Sequence, residues 1–171
     1  MSEHVVRTTE LVAALAASRQ ARLVLLEALG CRSSNRDPLA KFSGRIVAAM
    51  VGAAMAESRG QRGWDVAAPD GEHIQFRYLA NPPATWVNEH PVDLSGDCDA
   101  YALVVIEDFE PRHVLIFRKD CLAEVGAALG KRHPSQDTIL QLTRRNYRMI
   151  VEQAEPFAGL GVHVVGLGAL L

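Results

Sequence analysis

Asp65, Gln75 and Arg77 lie on either side of the short run Ala68-Pro69-Asp70-Gly71. A carboxylate and a carboxamide oxygen can together hold a hard divalent cation, and a guanidinium beside them can hold a phosphate ester. That is the equipment of phosphodiester chemistry, provided the three side chains share a surface. They share one only if residues 64–78 fold as a hairpin in a single register. Pro69 takes the fixed φ of a type I turn, and Gly71 supplies the left-handed residue that closes a three-residue loop. Paired positions then sum to 140: Trp64 opposes Phe76, Val66 opposes Ile74, and Asp65 opposes Gln75. Arg77 lies two residues on, on the side of Gln75. A two-residue loop at Asp70-Gly71 slips the register by one and sets Asp65 against Phe76, mixing apolar and polar faces. The three-residue loop is therefore expected, with Trp64, Val66, Ile74 and Phe76 inside and His73 on the polar face opposite Ala67.

Several elements must hold this hairpin in place. Thr8 or Thr9 can cap a first helix, with leucines at 11, 15, 25, 26 and 29 and a stop at Gly30. Ser18 and Gln20 mark where it would break if it were two. Asp37 and Pro38 open a second helix over about 39–57, whose alanines and glycines fit close packing. Residues 58–63 form a basic glycine loop. Residues 84–98 read as an irregular loop holding Trp86, which is expected to cover a sheet edge in preference to stacking on a base. Residues 101–106 and 113–117 read as strands. Asp120 is expected to cap a helix of about 121–129, and 138–142 to form a strand. Thr143 is expected to cap a helix from Arg144 to about Glu155, broken by 156–161, and a last strand follows at 162–165. The class is α/β (α+β): a central mixed sheet flanked by helices, with an extra N-terminal helix. One domain over 1–171 is expected, with 1–36 as a helical extension.

The stretch Gly63-Trp64-Asp65-Val66, Pro69-Asp70-Gly71 and Ile74-Gln75-Phe76-Arg77, set in the order helix, hairpin, strand, helix, strand, resembles the PD-(D/E)XK nuclease superfamily. These are the restriction-endonuclease-like proteins, and the resemblance covers roughly residues 38–125 within a core of 37–171. It implies a Mg²⁺ ion with Asp65 as principal ligand and Gln75 supplying a second oxygen. The catalytic set would be Asp65, Gln75 and Arg77, with Arg77 in the place of a lysine that orients or activates water. Two positions depart from the pattern. Arg77 cannot be deprotonated and is bulkier and planar. The helix acid of relatives has no counterpart among residues 41–45, which leaves Glu57, at the far end of that helix, as a third metal ligand. The resemblance with these departures implies a DNA-binding protein with lost or reduced nuclease activity. The alternatives are an active Mg²⁺-dependent endonuclease and a non-catalytic module dimerising through its Leu-rich first helix.

A nucleic-acid surface needs cations. Lys131, Arg132, Arg144, Arg145 and Arg148 set five positive charges against Asp137 over 131–148, a local charge of +4. Arg144-Arg145-Asn146 stands at an expected helix start, a place suited to phosphate. Arg59 and Arg62 precede the hairpin and would extend the same surface.

Composition narrows the field. The 171 residues are 49% hydrophobic and carry a net charge of −2, so any DNA contact must be a local patch. Three separated cysteines offer no disulfide framework or Cys-x-x-Cys site, and no two histidines stand four apart, so zinc is not expected. Glu89, Asp93, Asp97 and Asp99 form an acidic loop that could ligate a cation and is expected instead to be solvated. No apolar run is long enough for a membrane span and the N-terminal residues lack a signal-peptide core, so a cytoplasmic, membrane-free protein is expected. The Ala, Arg, Gly and Val usage fits a high-GC bacterial genome. No nucleophile elbow or dinucleotide motif is present.

Overall fold

The structure, a computed structural model, describes residues 8–31, 37–53, 63–81, 86, 89–131 and 138–168. Glu57, Arg59, Arg62 and Arg132 lie outside the described residues. The elements are α1 (Thr8–Ala28), α2 (Pro38–Met50), β1 (Val66–Ala67), β2 (His73–Asn81), β3 (His90–Asp93), β4 (Ala100–Glu107), β5 (Glu110–Arg118), α3 (Leu122–Ala128), β6 (Ile139–Leu142), α4 (Arg144–Glu152), α5 (Ala154–Gly159) and β7 (Val162–Gly166). The chain divides into two compact units, Met1–Phe42 and Ser43–Leu171.

In the first unit, α1 is one helix of 21 residues with no break at Ser18 or Gln20. It ends as expected at Gly30, whose φ of +67° lets Cys31 N reach back to Leu26 O at 2.8 Å. Asp37 accepts from Leu39 N at 3.0 Å and so opens α2. That helix stops at Met50 rather than continuing to 57. Gly52, expected to serve helix packing, instead takes φ +65° and lets Ala53 N bond Ala48 O, a glycine stop.

The second unit is built on a five-stranded mixed sheet in the order β1-β2-β4-β5-β7. The expected hairpin is there in the expected register, with Val66 against Ile74 and Ala67 against His73. Gly71 has φ +93°, and its N–H bonds Ala68 O at 2.9 Å across the loop. β2 then lies parallel to β4, while β4–β5 and β5–β7 are antiparallel. β4 is buried from Ala100 to Ile106, as a strand covered on both faces must be. On one face Tyr101, Leu103, Val105, Leu115, Phe117 and Val162 form a core with side chains of α3, α4 and α5. Each large aliphatic side chain fully buried there is worth roughly 1.5–3 kcal/mol.

Four expectations are corrected. Residues 84–98 are not wholly irregular: β3 pairs with β6 in a separate two-stranded sheet. Asp120 makes no capping bond to α3; it lies in a 3₁₀ turn, and Cys121 stands at the cap position. The helix from Arg144 ends at Glu152, and α5 follows with Pro156 in its first turn, where a missing N–H costs little. Trp64 does not oppose Phe76 inside the hairpin. β1 is only two residues long, and the Trp64 ring instead stacks on His73, centroids 4.4 Å apart.

Candidate functional site

Asp65 and Gln75 meet at the Arg77 guanidinium rather than as an opposed pair: the ladder stops at Val66, and Asp65 N bonds Ile74 O at 3.0 Å. Asp65 Oδ2 accepts from Phe76 N at 3.1 Å and from Arg77 Nη1 at 3.0 Å. The first bond explains why β1 is short. In this register the Phe76 N–H would go to the main chain at 64; the carboxylate takes it instead and ends the ladder. Arg77 Nη1 also donates to Phe76 O at 2.6 Å. Assigned from its neighbours, the Gln75 amide sets its oxygen to accept from Arg77 Nη2 at 2.7 Å and its nitrogen to donate to Asp93 O at 3.1 Å. The guanidinium is thus held on three sides while half of the Arg77 side chain stays open to solvent.

Gln75 and Arg77 lie on the face of β2 that continues into Tyr101 and Leu103 of β4. The polar face of the hairpin is therefore not a free surface but the rim of the main core. Beside it, His90 Nε2 lies 2.8 Å from Tyr101 Oη, which also donates to Pro91 O at 3.3 Å. Burial first, and the Arg77 charge second, lower the His90 pKa to about 4, so the ring is neutral at pH 7. Burial raises the Tyr101 phenol above its ordinary value. Bonds from the Ser95 hydroxyl and N–H hold the Asp93 carboxyl below the usual range. His73 N donates to Asp99 Oδ2 at 2.8 Å, tying the hairpin to the chain entering β4.

The oxygens of Asp65 and Gln75 are the ones a metal would need, and both face a cation that the chain itself supplies. Mg²⁺ requires carboxylate charge that is not already neutralised. Asp65, paired with Arg77, does not offer it, and no group of three His, Cys, Asp or Glu side chains converges as metal ligands among the described residues. The residues as arranged do not fit the ion.

The cationic region has a different geometry from the one expected. Thr143 caps α4 through a reciprocal box: Asn146 N donates to Thr143 Oγ1 at 3.2 Å, and Thr143 N donates to Asn146 Oδ1 at 3.1 Å. Asn146 is buried and committed to this cap, so it is not a phosphate ligand. Arg144 turns toward Glu107, with Nε 3.9 Å from Oε1. Arg145 and Arg148 are exposed, and Lys131 is half-buried. A groove of about 630 Å³ runs past Leu129, Lys131, Arg145 and Met149, and one of about 520 Å³ past Arg144, Arg145, Arg148 and Glu152. Trp86 stacks on Tyr147 of α4, ring centroids 5.3 Å apart, rather than on a strand at the sheet edge. Tyr147 Oη lies 2.6 Å from His113 Nδ1, and burial pushes the phenol up to about 12.

His90 and Tyr101 gave no signal in the sequence, and Asp93 and Asp99 stood out only as members of the acidic loop. Only the Glu89–Asp99 acid cluster hinted that this loop carries polar function, and it gave no sign of pairing with β6. Neither a scan of protein-family profiles nor a search of curated proteins finds a match to this chain. No helix among the described residues is long and apolar enough to cross a membrane.

Proposed function

We propose that this chain is a restriction-endonuclease-like DNA-binding domain whose phosphodiesterase site is closed by its own arginine, so that it holds DNA without cutting it. One observation carries the reading: Asp65 and Gln75, the two oxygen donors that the resemblance assigns to Mg²⁺, both contact the Arg77 guanidinium, at 3.0 and 2.7 Å. Arginine keeps its charge at any accessible pH, so it neither yields the position nor activates water as a base. It retains the capacity to bind phosphate through its open edge. Arg145, Arg148 and Lys131 add contacts of the sequence-independent, salt-sensitive kind. The Asp-bearing hairpin beside a parallel strand supports the same family reading.

The test is a salt titration of DNA binding. Wild type should lose affinity steeply with salt, and Arg145→Glu with Arg148→Glu should weaken binding and reduce the salt slope by about two. Affinity and slope unchanged in the double variant would contradict the reading. A second reading, a protein-interaction module, is favoured by α1, where Leu11, Val12 and Leu15 are 57–71% exposed. It predicts a dimer in sedimentation that Leu15→Glu dissociates; a wild-type monomer would exclude it.

A further inference from the structure

The β4–β5 hairpin ends in an exposed phenylalanine held in a costly backbone conformation. Glu107 pairs with Glu110, so the loop is Asp108 and Phe109 alone. Both have positive φ, 54° and 60°. Loops of this kind are ordinarily Asn-Gly or Gly-Gly, because both central residues must enter the left-handed region. A bulky side chain there is an outlier, and such strain concentrates where function demands it. The ring gains no packing in return, since Phe109 is 87% exposed, more than any other large apolar side chain among the described residues.

The tip is rigidly presented. Asp108 N donates to Asn81 O at 3.0 Å, tying the loop to the end of β2. Three acids flank the ring: Glu110 pairs with Arg112 at 2.6 Å, Glu107 lies 3.9 Å from Arg144, and Asp108 is exposed. Arg144 is also the first residue of α4, the helix that bears the exposed Arg145 and Arg148. The Glu107–Arg144 contact thus links the base of the aromatic tip to the start of a cationic helix.

We infer that Phe109 is a stacking platform for an unpaired base of a single-stranded nucleic acid whose phosphates run along Arg145 and Arg148. This rests on the nucleic-acid reading above and names its substrate class. Base–aromatic stacking needs an exposed ring, tolerates any base and works beside a positively charged track. A base in an intact duplex is already stacked, and exposing it costs energy that a single strand is spared.

The experiment is fluorescence anisotropy with a labelled single strand of about 15 nucleotides and the matching duplex. Wild type should bind the single strand. Phe109→Ala should weaken that binding roughly tenfold, leaving the salt slope and duplex affinity unchanged. Phe109→Trp should retain affinity, with an added emission component quenched by the strand. Replacing both loop residues, Asp108→Asn with Phe109→Gly, should raise the thermal midpoint by relieving the strain while losing the single-strand preference, which separates lost binding from lost folding. If wild type binds neither strand nor duplex, the nucleic-acid reading falls and this inference with it. If wild type binds and Phe109→Ala binds the single strand within about twofold of it, only the stacking role is overturned.

Discussion

One oxygen of Asp65 ends the β1 ladder and anchors Arg77. Arg77 is half-exposed and Asp65 about a third exposed, so the pair is solvent-screened and Asp65→Ala should cost only about 1 kcal/mol in urea unfolding. Asp65→Asn, which keeps an acceptor for Phe76 N, should cost less. A loss of several kcal/mol would mean that the pair supports the core rather than the site. His90 supplies a sharper residue-scale signal. Its pKa is about 4 in the folded chain against about 6.5 unfolded, so between those values the unfolded state binds more protons. Stability should therefore fall as pH drops from 6.5 toward 4, by an amount of order 2 kcal/mol. The His113 shift has the same sign, so the informative comparison is wild type beside His90→Gln in urea at pH 7 and pH 4.5. Equal pH dependence in the two would refute a buried neutral His90. The Val66–Ile74 and Ala67–His73 pairs were legible because Pro69 and Gly71 specify the loop, and the loop specifies the register; the expected Asp65–Gln75 pair is not formed, since Asp65 N bonds Ile74 O. His90 was not legible, because its burial depends on a partner strand at 139–142, far away in sequence.

Local chemistry was read correctly where it closes on itself. Thr143 and Asn146 cap each other within three residues, so the start of α4 was visible; the same bonds removed Asn146 from any ligand role. Thr143→Ala should cost about 1 kcal/mol, measured by chemical denaturation. Asn146→Ala should cost a similar amount, because it breaks the other half of the box. If neither substitution shifts the midpoint, the box is not closed in solution. Element ends were less legible. Gly52 among alanines looked like a packing residue, and only its left-handed backbone shows it to be the stop of α2. β3 carries Pro91 and spans four residues, too short for alternation to stand out from the surrounding loop.

At the scale of the whole molecule, one unit carries a polar rim at β1–β2, a cationic helix, and an aromatic hairpin tip whose base meets that helix through Glu107 and Arg144. The mixed sheet with helices against it was legible from the strand pattern and the apolar run at 101–106. Its partition into a five-stranded and a two-stranded sheet was not, since nothing local tells β6 to leave the main sheet for β3. The central claim is that this architecture binds DNA and that Arg77 keeps it from cutting. Incubating supercoiled plasmid with the full chain in Mg²⁺ or Mn²⁺, and resolving retarded from nicked species on one gel, tests both halves at once. Retardation that salt reverses, with no nicked product, is the expected result. Nicking by wild type that Asp65→Ala abolishes, or no retardation at low salt, would contradict it.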